Sequence, residues 1–160
     1  MYKLLLFVLF SVVWMKLFAL QTDEELAMQA LFRAKHGINR SAHAAALQID
    51  KAKLEQGTIG IDEAEAYEAA MRYLRLNLLL DEHNQPLPGS FLGQQAEVLA
   101  FEVINDDKTF PYTYTNPQYD YSVTLRHPGV VMVVRVAYSR TFNVLGPISW
   151  ELKSAAELAW

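Results

Sequence analysis

Residues 4–15 are apolar at every position except Ser11, and after Lys16 the apolar character resumes through Leu20. A run of this kind at the start of a chain restricts what the rest can do. It just reaches the roughly 17 residues that a helix needs to cross a bilayer. Lys3 precedes it, and Asp23, Glu24 and Glu25 follow together. That charge order favours an N-terminus in the cytoplasm and a remainder outside it. Lys16 sits near the outer end, where a long side chain can carry its ammonium to the headgroups. Three readings compete for residues 1–21. An uncleaved membrane anchor fits the length. A cleaved signal peptide fits the apolar run, but Leu17-Phe18-Ala19 puts Leu where a small residue is wanted before the cut. A buried core helix is disfavoured by the position at the very start of the chain. The anchor is the expectation, which places the protein at a cell membrane with the bulk extracytoplasmic, or secreted if the segment is removed.

The formal charge of −4 provides no basic field for nucleic acid. The chain has no cysteine, which excludes disulfides, thiolate metal sites and a thiol nucleophile. An exported domain of this kind must fold by packing alone.

Two zones follow the apolar segment, and residues 22–160 read as one folded domain. The helical zone covers residues 22–94. Thr22 and Glu25 match a capping box, so a new helix is expected to open there. Ala27, Leu31, Ala34, Ile38, Ala42, Ala45 and Ile49 recur at steps of three or four, one apolar stripe dominated by Ala. Gly37 interrupts it at a cost of about 1 kcal/mol relative to Ala. Small side chains let another helix approach closely, so Ala27, Leu31, Ala34, Ile38, Ala42 and Ala45 are the expected helix-contact residues. The same stripe also suits packing against the chain's own second helix and sheet. Residues 56–60 form a break, and Asp62 with Glu65 repeats the capping pattern. Tyr67, Ala70, Met71, Leu74 and Leu78 give a second stripe, read as core. Residues 81–89 are a loop by their Pro, Gly and Asn content.

The strand zone covers residues 95–160. Residues 97–104, 110–115, 119–125, 130–138 and 148–152 have strand character, separated by turn signals at Asn105-Asp106-Asp107, Asn116-Pro117 and Pro128-Gly129. Arg135 is expected to face water. Short turns imply an antiparallel meander with one face on the helices, an α+β arrangement of Ala-rich helices packed on a sheet. Tyr112, Tyr114, Tyr119 and Tyr121 flank one turn. They read as a cross-strand aromatic cluster, or as a partner surface.

No catalytic signature, phosphate loop or metal motif is present. His36 and His43 lie two helical turns apart without a third ligand, and His83 and His127 fall in loops. Asp62, Glu63 and Glu65 read as helix-start acids rather than as an acid–base pair. Asp106-Asp107 offers too few oxygens for calcium. The expectation is therefore a chain without catalytic residues, cofactor or metal.

Residues 32–48, which include Ser41-Ala42-His43-Ala44-Ala45-Ala46-Leu47, resemble the segment that follows the membrane helix in TadE/TadG-like proteins. These are pseudopilin-like components of tight-adherence pili. Residues 130–138, 142–147 and 148–158 resemble that family's last strand, its loop and an Ala-containing tail. A basic leader ending in Gly, with Glu at the fifth position after it, marks type IV prepilins and is not seen here. The resemblance thus implies a pilus- or secretion-associated membrane protein rather than a major pilin. It implies partners among envelope or pilus proteins, with self-association among the options. The alternative is an anchored or secreted binding module that uses the tyrosine-rich hairpin.

Overall fold

The structure, a computed structural model, describes residues 2–142 and 145–159. Met1, Asn143, Val144 and Trp160, which belong to the expected anchor, loop and tail, lie outside the described residues.

A single helix, α1 (Tyr2–Ala46), carries the chain from the apolar run into the folded body. The helix start expected at Thr22 is not there. The Thr22 hydroxyl donates back to the Phe18 carbonyl at 2.9 Å. The preceding turns already supply carbonyl partners for the N–H groups of residues 23–25, so no orphan donors exist to cap. Gly37 does not break the helix either. A Cβ there would stand 2.9 Å from Leu78 Cδ2 and 3.2 Å from Asn77 Cβ, so the glycine is what allows the next long helix to approach.

After α1 comes α2 (Lys51–Glu55), capped by Asp50, and then α3 (Glu63–Leu78). The Asp62 carboxylate accepts from the Ala64 and Glu65 N–H groups, the cap expected from the sequence. A short bridge between Ile49 and Ile61 returns the chain so that α3 packs against α1.

Five strands follow: β1 (Glu97–Ile104), β2 (Tyr112–Asn116), β3 (Tyr121–Leu125), β4 (Gly129–Tyr138) and β5 (Ile148–Glu157). All pairings are antiparallel, but the order is not the expected meander. β1 pairs with β4 and β4 with β5, while β2 and β3 form a separate hairpin. β4 is therefore central and covered on both faces. Val130, Met132, Val134 and Val136 join the main core with Ala34, Ile38, Ala42, Leu74 and Leu78. Val131 faces the other way, into a second core with Ile104, Tyr114 and Leu125 of the hairpin side. This explains why β4 is apolar at both parities and shows no alternation. The architecture is α+β in three layers: helices, a three-stranded sheet, and a two-stranded hairpin.

Arg135 is the one position of β4 between these cores and solvent, paired with Glu97 at 2.9 Å and Glu151 at 2.8 Å on the flanking strands. Those carboxylates, Glu151 first, hold its pKa above the ordinary arginine value.

Candidate functional site

The two halves of α1 have opposite surroundings. From Leu4 to Phe18 the large apolar side chains are open on every side of the helix, with Leu4 73%, Trp14 67% and Phe18 58% exposed. From Ala27 onward one face is core. The first half is long and apolar enough to cross a membrane, and none of it is buried in the fold. Its polar side chains are few. The Ser11 hydroxyl donates to the Phe7 carbonyl at 2.9 Å, and Trp14 stacks on Phe18 with centroids 5.9 Å apart. Helical hydrogen bonding with hydroxyls turned onto i−4 carbonyls is what a lipid environment requires.

Where the exposed half ends, the body of the protein closes around it. Asp23 is 0% exposed although Gln21, Glu24 and Glu25 beside it are open. Its Oδ1 accepts from the backbone N–H groups of Thr141 and Phe142, at 3.0 and 3.1 Å. Among the described residues its Oδ2 has no hydrogen-bond partner. Arg140 lies alongside, its side chain 7% exposed, and donates to Glu24 at 2.9 Å. The turn between β4 and β5 is thus fastened to α1 by a carboxylate and an ion pair at the point where the helix emerges. Below the fastening, Ala27 and Ala30 pack against Tyr138, which stacks on Trp150 at 6.2 Å. In the sequence Asp23 stands out only as part of an acidic cluster. Nothing in the residues around it signals a partner more than 100 positions away.

The expected helix-contact residues are placed in the chain's own core. Ala34, Ile38, Ala42 and Ala45 are fully buried against α3 and the sheet, Ala27 is buried by Tyr138, and Leu31 is half-buried. The apolar surface that α1 leaves open beyond Glu25 is different: Met28 and Phe32, one turn apart, are 49% and 58% exposed.

The tyrosines also face inward. Tyr114 is buried and Tyr112, Tyr119 and Tyr121 are half-buried, with Tyr112, Tyr114 and Tyr121 forming the hairpin's side of the second core. The hairpin's outer face is instead Thr113, Thr115, Ser122 and Thr124, with Thr113 and Thr124 hydroxyls 3.0 Å apart. Tyr114 donates to Glu102 Oε1 at 2.6 Å, and Tyr119 to the Leu99 carbonyl at 3.3 Å, where β1 slips register. Burial, and then the Glu102 carboxylate, push the Tyr114 hydroxyl above its ordinary pKa. Tyr119 apart, the structure brings the group together as packing between hairpin and sheet.

His36, His43, His83 and His127 are exposed and separate. Among the described residues no group of three or more His, Asp or Glu is gathered in a metal-holding arrangement. Asp106 pairs with Lys53, and Asp107 with Lys108. The hydrogen bond from Lys53 holds Asp106 below the usual carboxylate range. Comparison with protein-family models, with characterised proteins and with solved structures found no match.

Proposed function

We propose that the protein is a non-enzymatic component of the cell envelope, a pilus- or secretion-associated assembly protein. In this reading the first half of α1 anchors it in the membrane and the α+β body stands outside the cytoplasm. The observation that carries the reading is the division of one uninterrupted helix into an all-round exposed apolar half and a half that is core. A rigid helix of this kind fixes the body at a set height above the bilayer, which suits a part that must meet other envelope proteins in register. Helix packing with those partners would use the open surface of residues 4–18 within the bilayer and Met28 with Phe32 above it. The Ala stripe serves the internal packing of α1.

The test uses the full chain in bacterial envelopes. Membranes are washed at alkaline pH, and intact spheroplasts are treated with protease. The protein is expected to stay with the membrane through the wash and to lose its body to external protease. Release by the wash, or a body protected until the cells are lysed, would refute the anchored, outward-facing arrangement. Cross-linking through single cysteines at Met28 and Phe32 then tests for envelope partners on that face.

A further inference from the structure

Phe142 and Leu145, in the turn between β4 and β5, are 49% and 50% exposed. Between Arg140 and β5 the chain carries no charged side chain, and Arg140 itself is turned inward onto Glu24. Large apolar groups gathered beside a buried carboxylate are an unusual thing to offer to water. Their height along α1 supplies a reason. A hydrocarbon core of about 30 Å takes about 20 residues of helix at about 1.5 Å each. Counted from Leu4, that length ends at Asp23, with Lys16 about 10 Å short of it and its long side chain able to run outward along the helix. Asp23 therefore stands at the lipid boundary, where an uncovered carboxylate is costly. The turn covers it, because the Thr141 and Phe142 N–H groups bind its Oδ1. The same bonds fix Phe142 at that height. The residues that flank the turn, Tyr138 and Ile148, belong to the cluster on Ala27 and Ala30. Phe142 and Leu145 are each left half exposed.

We propose that Phe142 and Leu145, which lie between β4 and β5, form a second membrane contact in the outer lipid interface beside the emerging helix, with Asp23 latching the Phe142 backbone there. The contact rests on α1 crossing the membrane. Its occupant is the bilayer surface, because the bond to Asp23 sets Phe142 at the height where a membrane-spanning length of the helix ends. Such a contact would stop the body from swinging about α1 and would set one face of the sheet toward partners.

The lack of cysteine makes the test direct. Single variants Phe10→Cys, Thr124→Cys, Phe142→Cys and Leu145→Cys of the full chain are labelled with an environment-sensitive fluorophore. They are reconstituted into phosphatidylcholine–phosphatidylglycerol vesicles carrying nitroxide lipids with shallow or deep quenchers. The Phe10 label should be quenched by the deep probe. The Phe142 and Leu145 labels should be quenched by the shallow probe, several-fold more than the Thr124 label on the distant hairpin. Phe142 and Leu145 labels no more quenched than Thr124, with Phe10 quenched, would overturn the contact and leave the anchor standing. An unquenched Phe10 label would overturn the anchor and the contact together. Labels shielded from aqueous iodide but untouched by nitroxide lipid would show a protein covering the turn and overturn the lipid assignment. Adding Asp23→Ala to Phe142→Cys should cut the shallow quenching severalfold, and unchanged quenching would overturn the latch.

Discussion

Replacing Gly37 by Ala sets two effects of known size against each other. In a helix interior Ala is favoured over Gly by about 1 kcal/mol. On an isolated helix the substitution would therefore stabilise. Here the new Cβ would meet Leu78 Cδ2 at 2.9 Å and Asn77 Cβ at 3.2 Å. Carbon pairs are comfortable at about 3.5–4.0 Å, so one helix must shift by roughly half an ångström or Leu78 must leave its rotamer. Leu78 is 0% exposed and has nowhere to turn, and Asn77 Cβ moves only with the backbone of α3. Extra methyl groups in such sites cost about 1–3 kcal/mol. The steric effect wins, and Gly37→Ala should destabilise by about 1 kcal/mol net. Urea unfolding of the full chain in mild detergent would read it as a midpoint lowered by about 0.5 M at a slope of about 2 kcal/mol/M. Near-ultraviolet circular dichroism is a suitable signal, because Trp150 stacks on the buried Tyr138 within the body. The decisive control is the Leu78→Ala background, itself less stable by about 2–5 kcal/mol. With the closest obstacle removed, Gly37→Ala should be neutral or stabilising. A stabilising effect in the unaltered protein would refute the claim that α3 is what the glycine makes room for.

Asn105 should be among the most sensitive polar positions. In the bridge to Ile49, the Gly60 carbonyl and Asp62 N–H are spent on the partner strand, so the Ile61 N–H and carbonyl point the other way. Asn105 answers both, accepting at 2.7 Å and donating at 2.8 Å. Asn105→Ala should cost about 2–4 kcal/mol in the same unfolding assay, and Asn105→Asp should not rescue it, because a carboxylate would face the Ile61 carbonyl. Tyr114→Phe should cost about 1 kcal/mol by loss of the bond to Glu102. Because the folded state raises the Tyr114 pKa, that tyrosine's contribution is full below the unfolded value near 10 and is lost as pH rises through the folded value. Unfolding midpoints should therefore fall less steeply above pH 10 in Tyr114→Phe than in the parent.

Elements defined by local chemistry were legible. Asp62 caps α3 as its spacing implied, and residues 97–104 and 130–138 are strands because their β-branched and apolar runs end at turn residues. What escaped was set by partners distant in sequence. A capping pattern at Thr22 is meaningful only if the chain is not already helical, and the local pattern cannot tell. Turn signals after β1 suggested a neighbour in β2, but β2 and β3 pair only with each other, and β1 takes β4 across the insertion. The extension of β5 to Glu157 was hidden by Lys153, Ser154 and Glu157, polar residues that an edge strand tolerates beside Ala155 and Ala156. The direction of the tyrosines was present in the alternation with Thr113, Thr115, Ser122 and Thr124. It needed only the question of which parity had another layer to cover it.

Sequence pattern and structure differ most in α1. Its apolar run and its Ala stripe were separable in sequence, and a boundary at Thr22 kept them apart. As one helix they are coupled, because in the proposed anchored arrangement a rigid rod would transmit orientation from bilayer to body in a way that a hinge would not. The stripe is small-sided because the helix must be approached closely by α3 and the sheet, with Gly37 at the tightest point. The exposed half is large-sided, and nothing among the described residues covers it. Between them, Asp23 is the residue at which the demands meet: too polar for lipid, it is buried by the turn that follows β4. A helix break engineered just below it, such as Ala27→Pro, would separate the two functions. Under the proposed anchoring, the apolar half would still hold the chain in the membrane, while the fixed height of the body, and any register it gives to partners, would be lost.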